Sequence, residues 1–170
     1  MTSSRALILT VALFLVGCSA TPVHPVSVPT AWFMKSEAPN ADAKARILMI
    51  GRWFSDTNDP DGIRRMALET MHEDGTFEIS FRSIHGGKVV TEQTEYGLWG
   101  VSGDINFMIT QGYVEDGHRL PVSPKDPTYY DAYRIIRLTL DRFDCTHIVA
   151  GGNFQKIKVP DSFQFPSSDI

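Results

Sequence analysis

From Gly51 onward, apolar and polar residues alternate with a period of two. Phe77, Ile79 and Phe81 alternate with Glu78, Ser80 and Arg82, and Ile105, Phe107 and Ile109 alternate with Asn106, Met108 and Thr110. Successive side chains of an extended chain point to opposite faces, so each run predicts a strand with one buried face. Phe77, Ile79, Phe81 and Phe107 are expected on that face. Turn signals separate the runs: Glu73-Asp74-Gly75-Thr76, His85-Gly86-Gly87-Lys88, Ser102-Gly103-Asp104 and Gly151-Gly152-Asn153. Their glycines permit the positive φ of tight hairpins. Strands are predicted at 51–55, 63–72, 76–84, 88–100, 104–111, 129–140, 144–150, 153–159 and 162–165. Ile63, Met66, Ala67 and Met71 also fit helical spacing, so 63–72 carries both readings. Short strands joined in order by tight turns predict an antiparallel up-and-down meander, and closure into a barrel removes its edges. Ahead of it, Asn40 can cap, Asp42 suits a first turn, the alanines favour helix and Gly51 can end it, predicting a short helix over 41–49.

The N-terminal pattern is different. Arg5 precedes a run of eleven residues, Ala6 to Val16, that is apolar but for Thr10 and is followed by Gly17-Cys18. A bilayer-spanning helix needs about 20 apolar residues, so the run has the layout of a secretory signal. Leu15-Val16-Gly17-Cys18 resembles the lipobox of bacterial lipoproteins. That resemblance implies removal of residues 1–17 and lipidation of Cys18, with the protein held on a membrane through its acyl chains. Ser19 after the cysteine, where Asp would signal retention, implies the outer membrane facing the periplasm. Residues 18–39 read as an extended tether, punctuated by Pro22, Pro25, Pro29 and Pro39, with Trp32-Phe33-Met34 as an apolar island. The barrel domain is expected over 40–166, with a tail at 167–170.

Gly51-Arg52-Trp53, directly after the predicted helix, resembles the G-x-W opening of lipocalins and other calycins. Asp74-Gly75-Thr76-Phe77, then Tyr96-Gly97-Leu98-Trp99 with Ser102-Gly103-Asp104, is similar to elements of bacterial lipocalin-like lipoproteins. Tyr133-Arg134-Ile135-Ile136-Arg137-Leu138 and Phe163-Gln164-Phe165-Pro166 extend the likeness over about residues 45–166. The resemblance implies an all-β, lipocalin-like barrel that binds a small hydrophobic ligand. One departure stands out: classical lipocalins pair the opening Trp with an Arg of the closing strand, where this chain offers Lys156 and Lys158.

Charge and chemistry narrow the function further. The chain's formal charge is −4, and without Arg5 the remainder from Cys18 carries −5. A mildly acidic chain without a basic block is a poor partner for nucleic acid. With Cys18 assigned to the anchor, Cys145 has no intramolecular partner and reads as a small buried apolar residue. Asp56-Thr57-Asn58-Asp59-Pro60-Asp61-Gly62 has the oxygen density of a calcium loop, but Pro60 and Ala67 fall where ligands are required, so it reads as a polar turn. His24, His72, His85, His118 and His147 lack zinc-site spacing, and His72 and His85 are expected to face solvent. No nucleophile elbow or phosphate-cradling loop is present, so neither catalysis nor a cofactor is expected.

A binding role remains, on a chain read as a monomer. Trp53, Phe81, Tyr96, Trp99 and Phe107 are expected inside the barrel, as core if it is filled and as cavity lining if it is open. Gly112 to Thr128 reads as one long connection able to act as a lid, with Tyr113 within it and Tyr130 at its exit. Two roles follow: a tethered carrier of a small hydrophobic ligand, or a solid barrel whose loops contact an envelope protein as an interaction or inhibitor module.

Overall fold

The structure is a computed structural model, and it describes residues 41–167. The leader at 1–17, Cys18, the tether with Trp32-Phe33-Met34 and the last residues, 168–170, lie outside the described residues. Helix α1 (Ala41–Met49) precedes nine strands: β1 (Gly51–Asn58), β2 (Arg64–Met71), β3 (Thr76–His85), β4 (Lys88–Ser102), β5 (Ile105–Glu115), β6 (His118–Pro121), β7 (Tyr130–Leu138), β8 (Arg142–His147) and β9 (Asn153–Val159). Every pairing is antiparallel. Eight strands close in the order β1-β2-β3-β4-β5-β7-β8-β9, with β9 returning to β1, while β6 pairs with β5 alone. This is the antiparallel up-and-down barrel with a short leading helix that the residue pattern implied, and the arrangement that the lipocalin-like resemblance also implied.

One end of the barrel is solid. Trp53, Met71, Phe77, Trp99, Phe143 and Cys145 form a buried cluster with Met49 of α1. The helix is tied across this end by polar contacts. The Trp53 indole N–H donates to the Met49 carbonyl at 2.7 Å, and Lys158 Nζ donates to the Leu48 carbonyl at 3.1 Å. Both acceptors belong to the last turn of α1, whose carbonyls lack helical partners and attract positive charge. The Lys158 ammonium also lies 5.0 Å from the centroid of the Trp53 ring, so a lysine takes the place the resemblance reserves for an arginine. Gly51 makes the junction possible. Its φ is +122°, and a Cβ there would sit 2.7 Å from Lys158 Cε. At the far side of the helix, Asp42 accepts from the Gly103 N–H of the β4–β5 turn at 2.7 Å, and Arg46 donates to the Glu73 carbonyl of the β2–β3 turn at 2.9 Å.

A second cluster lies outside the barrel wall. Phe54, Met66, Leu68 and Ile84 are buried beneath Val159, Phe163 and Phe165. This resolves the double reading of 63–72. Met66 and Leu68 are covered on the outer face while Ala67, Glu69 and Met71 face inward, so both phases of β2 carry apolar residues. The predicted last strand, 162–165, is absent. Pro160 and Pro166 bracket a segment that joins no ladder and packs through its rings, with Phe163 4.9 Å from Phe54 between centroids.

Two further expectations are corrected. In β5 the buried residues are Asn106, Met108 and Thr110, whereas Phe107 is 40% exposed on the outer face. Met108 stands opposite Trp99 and Phe107 opposite Gly100, so the two partners on β4 set the phase: an indole fills the interior and a glycine leaves room for the ring outside. The stretch 112–128 is also no open connection. β5 runs on to Glu115 and folds back as β6, a hairpin extending from the rim, and the linker to β7 ends in a short 3₁₀ helix, Pro127–Tyr129.

The cap predicts the cost of its removal. Trp53→Phe keeps most of the buried ring but leaves the Met49 carbonyl without its donor, and should lower the unfolding free energy by about 1–3 kcal/mol in urea melts. An unchanged midpoint would show that the indole hydrogen bond contributes nothing net.

Candidate ligand-binding cavity

Above the solid end the barrel interior opens into a cavity of about 570 Å³, at the end bearing the β1–β2 and β8–β9 turns. Its apolar wall comes from Ala67 of β2, Phe77, Ile79 and Phe81 of β3, Met108 of β5, Tyr133 of β7 and Phe154 of β9. All are inward positions of their strands, and cross-strand neighbours such as Ala67 and Phe81 share a face because paired residues of an antiparallel ladder point the same way.

The same wall carries charge. Glu69 is 1% exposed, and Lys156 of β9 donates a salt bridge to its Oε2. Lys156 is itself buried and lies 5.1 Å from the Phe143 ring centroid. Two charges this deep are tolerated because each neutralises the other. Glu69 Oε1, however, has no hydrogen-bond partner among the described residues, although it is fully buried. On β4, the Glu95 carboxylate accepts from Thr110 Oγ1 at 3.2 Å and Gln93 Nε2 at 2.8 Å. Burial pushes its carboxyl above the ordinary range; these hydrogen bonds oppose the shift, and the negative charge of Asp131 adds to it.

Asp131 of β7 accepts from His147 Nε2 at 2.9 Å. His147 Nδ1 accepts the backbone N–H groups of Val149 at 3.2 Å and Ala150 at 2.9 Å, so the ring proton sits on Nε2 and the imidazole is a neutral donor. Asp131 is therefore oriented but not neutralised. Desolvation, reinforced by Asp131, pushes the Tyr133 phenol well above its usual range, keeping it protonated. At the rim Arg65 is paired with Asp59. Cys145 is 2% exposed beneath the floor, with burial raising its thiol to about 11, as expected of an unreactive core residue.

Of the seven residues expected to bind ligand, Phe81 alone lines the cavity. Trp53 and Trp99 are buried in the floor, and the Trp99 indole donates to the His72 carbonyl at 3.1 Å. Tyr96 lies on the outer face beneath the Arg119 guanidinium, 4.5 Å from its ring centroid. Phe107 is outside, as described. Tyr113 packs edge-on against Tyr129, and the Tyr130 hydroxyl donates to the Pro124 carbonyl at 2.7 Å, so both brace the β5–β7 crossing. Glu69, Glu95, Asp131, Tyr133, Phe154 and Lys156 were not anticipated. The available signal was a Glu and a Lys on the inward phases of β2 and β9, visible once Trp53 sets the register.

The expected calcium mimic is an ion-paired hairpin. Arg64 binds Asp56 in a fork at 2.9 and 2.6 Å, and Asp61 caps the Ile63 N–H. Among the described residues no group of three or more His, Cys, Asp or Glu side chains is arranged to hold a metal ion.

No protein-family model matches the chain, and no curated protein matches it in sequence. Among solved structures it is similar to a lipocalin-like protein from Bacteroides uniformis ATCC 8492, with 15% identity and a TM-score of 0.43 over 66% of this chain and 99% of that one.

Lys156→Met should destabilise the protein by about 3–5 kcal/mol by stranding the Glu69 charge, whereas Lys156→Met with Glu69→Leu should recover most of that loss. Calorimetric melts check this. Equal destabilisation in the single and double variants would mean that the two side chains act independently.

Proposed function

We propose that this protein binds a small molecule with an apolar body inside its barrel, and that an N-terminal lipid on Cys18 holds it on the bacterial outer membrane facing the periplasm. The observation that carries the binding reading is the cavity. Its volume of about 570 Å³ falls within the range of small-molecule sites, roughly 300–1,000 Å³, and aromatic and aliphatic walls enclose a few convergent polar groups. A solid interaction module would have filled this space. The floor already supplies the hydrophobic core, so an open upper half brings little stability and suits occupancy by a ligand.

Binding rather than catalysis fits the side chains present. Both nitrogens of His147 are engaged and Cys145 lies under the floor, so neither the imidazole nor the thiol is free to act on a bound molecule. The anchoring half of the reading rests on the order of Arg5, the apolar run and Gly17-Cys18.

A neutral fluorescent probe, N-phenyl-1-naphthylamine, should brighten on binding the protein, and Ala67→Trp, which places an indole in the cavity, should abolish the signal without lowering the melting temperature. Failure of the probe to bind, or equal binding by Ala67→Trp, would remove the cavity from consideration. In bacteria, Cys18→Ser should move the protein from the membrane to the soluble fraction; continued sedimentation with membranes would rule out the lipid anchor.

A further inference from the structure

The cavity contains more negative charge than its own cations balance. Four carboxylates line it: Asp59, Glu69, Glu95 and Asp131. Arg65 answers Asp59 and Lys156 answers Glu69, one cation to each acid. Among the described residues Glu95 has only the neutral donors of Thr110 and Gln93, and Asp131 only the neutral imidazole of His147. Two ionisable acids thus face one partly desolvated space without a countercharge, close enough for Asp131 to disfavour the ionised form of Glu95. A carboxylate left without a countercharge in a partly desolvated space is costly. A ligand that donates hydrogen bonds and carries positive charge answers Glu95 and Asp131 together. A fatty acid or other anion would deepen that cost.

Resting on the binding role proposed above, we propose that the preferred ligand is a small amphipathic amine, its protonated nitrogen between Glu95 and Asp131 and its apolar body against Phe81, Met108 and Phe154. The placement follows from the wall. The two acids sit on β4 and β7, on opposite sides of β5, while Phe81 and Phe154, on β3 and β9, are each more than a third exposed. Hydrocarbon packed on those rings covers them and shields the charged contacts from water, strengthening them.

Calorimetric titration of the full-length protein with octylamine, 1-octanol and octanoate separates the terms, because the three share a chain and differ in head group. Octylamine should bind about tenfold or more tightly than 1-octanol, with octanoate weakest, as one charge-assisted hydrogen bond implies. Glu95→Gln and Asp131→Asn should each bring the amine-to-alcohol ratio toward one, and either variant keeps the test valid if the other fails to fold. Equal affinity for amine and alcohol, or tighter octanoate binding, would overturn the amine assignment while leaving the cavity as a binding site. Absence of binding by all three would overturn the binding role itself, and the amine assignment with it.

Discussion

The junction of helix and barrel at Trp53 is the constraint on which the other features rest. One indole fills the floor of the interior, donates to the last carbonyl of α1 and receives the Lys158 ammonium against its face. Trp53 lies on β1 and Lys158 on β9, paired directly with each other across the seam that completes the ring. The same contacts therefore hold the helix over one end and fasten the first strand to the last. A barrel sealed in this way concentrates its apolar core at the helix end, which leaves the opposite end free to remain open.

That division explains how a cavity can coexist with a stable fold. The buried aromatic and methionine cluster lies below, the outer wall is reinforced by the C-terminal rings on Phe54, and the upper interior contributes little packing. Polar groups can then occupy the upper wall. The Glu69–Lys156 pair is almost fully buried beside the floor, where mutual neutralisation is required, while Glu95 and Asp131 line the cavity held by hydrogen bonds from neutral groups.

The rim hairpin of β5 and β6 shows how local chemistry outweighed a loop reading. Prolines and charges between Gly112 and Thr128 look irregular, yet Pro121 sits on an edge strand where its missing N–H disturbs no inner ladder. The tyrosines there serve the scaffold: Tyr130 reaches Pro124, Tyr113 meets Tyr129 and Tyr96 receives Arg119. Aromatic residues near a barrel mouth were expected to touch ligand, but their hydroxyls and ring faces are engaged by the connection itself.

Residue order alone determined the helix at 41–49, eight of the nine expected strands with small shifts at their ends, the antiparallel order and the buried state of Cys145, because period, turn residues and caps act over neighbours in sequence. It also placed Phe77, Ile79 and Phe81 on the inner face. The tertiary structure decided which phase of β5 faces inward: the uniformly apolar phase of Ile105, Phe107 and Ile109 turns outward and Asn106, Met108 and Thr110 turn inward, as Trp99 and Gly100 across the ladder require. It decided that the barrel is filled below and open above, and it brought Glu69, Glu95, Asp131 and Lys156 from four strands to one space. Charge balance in a cavity is a property of distances between residues up to 87 positions apart, as Glu69 and Lys156 are, and alternation along a strand carries no record of it.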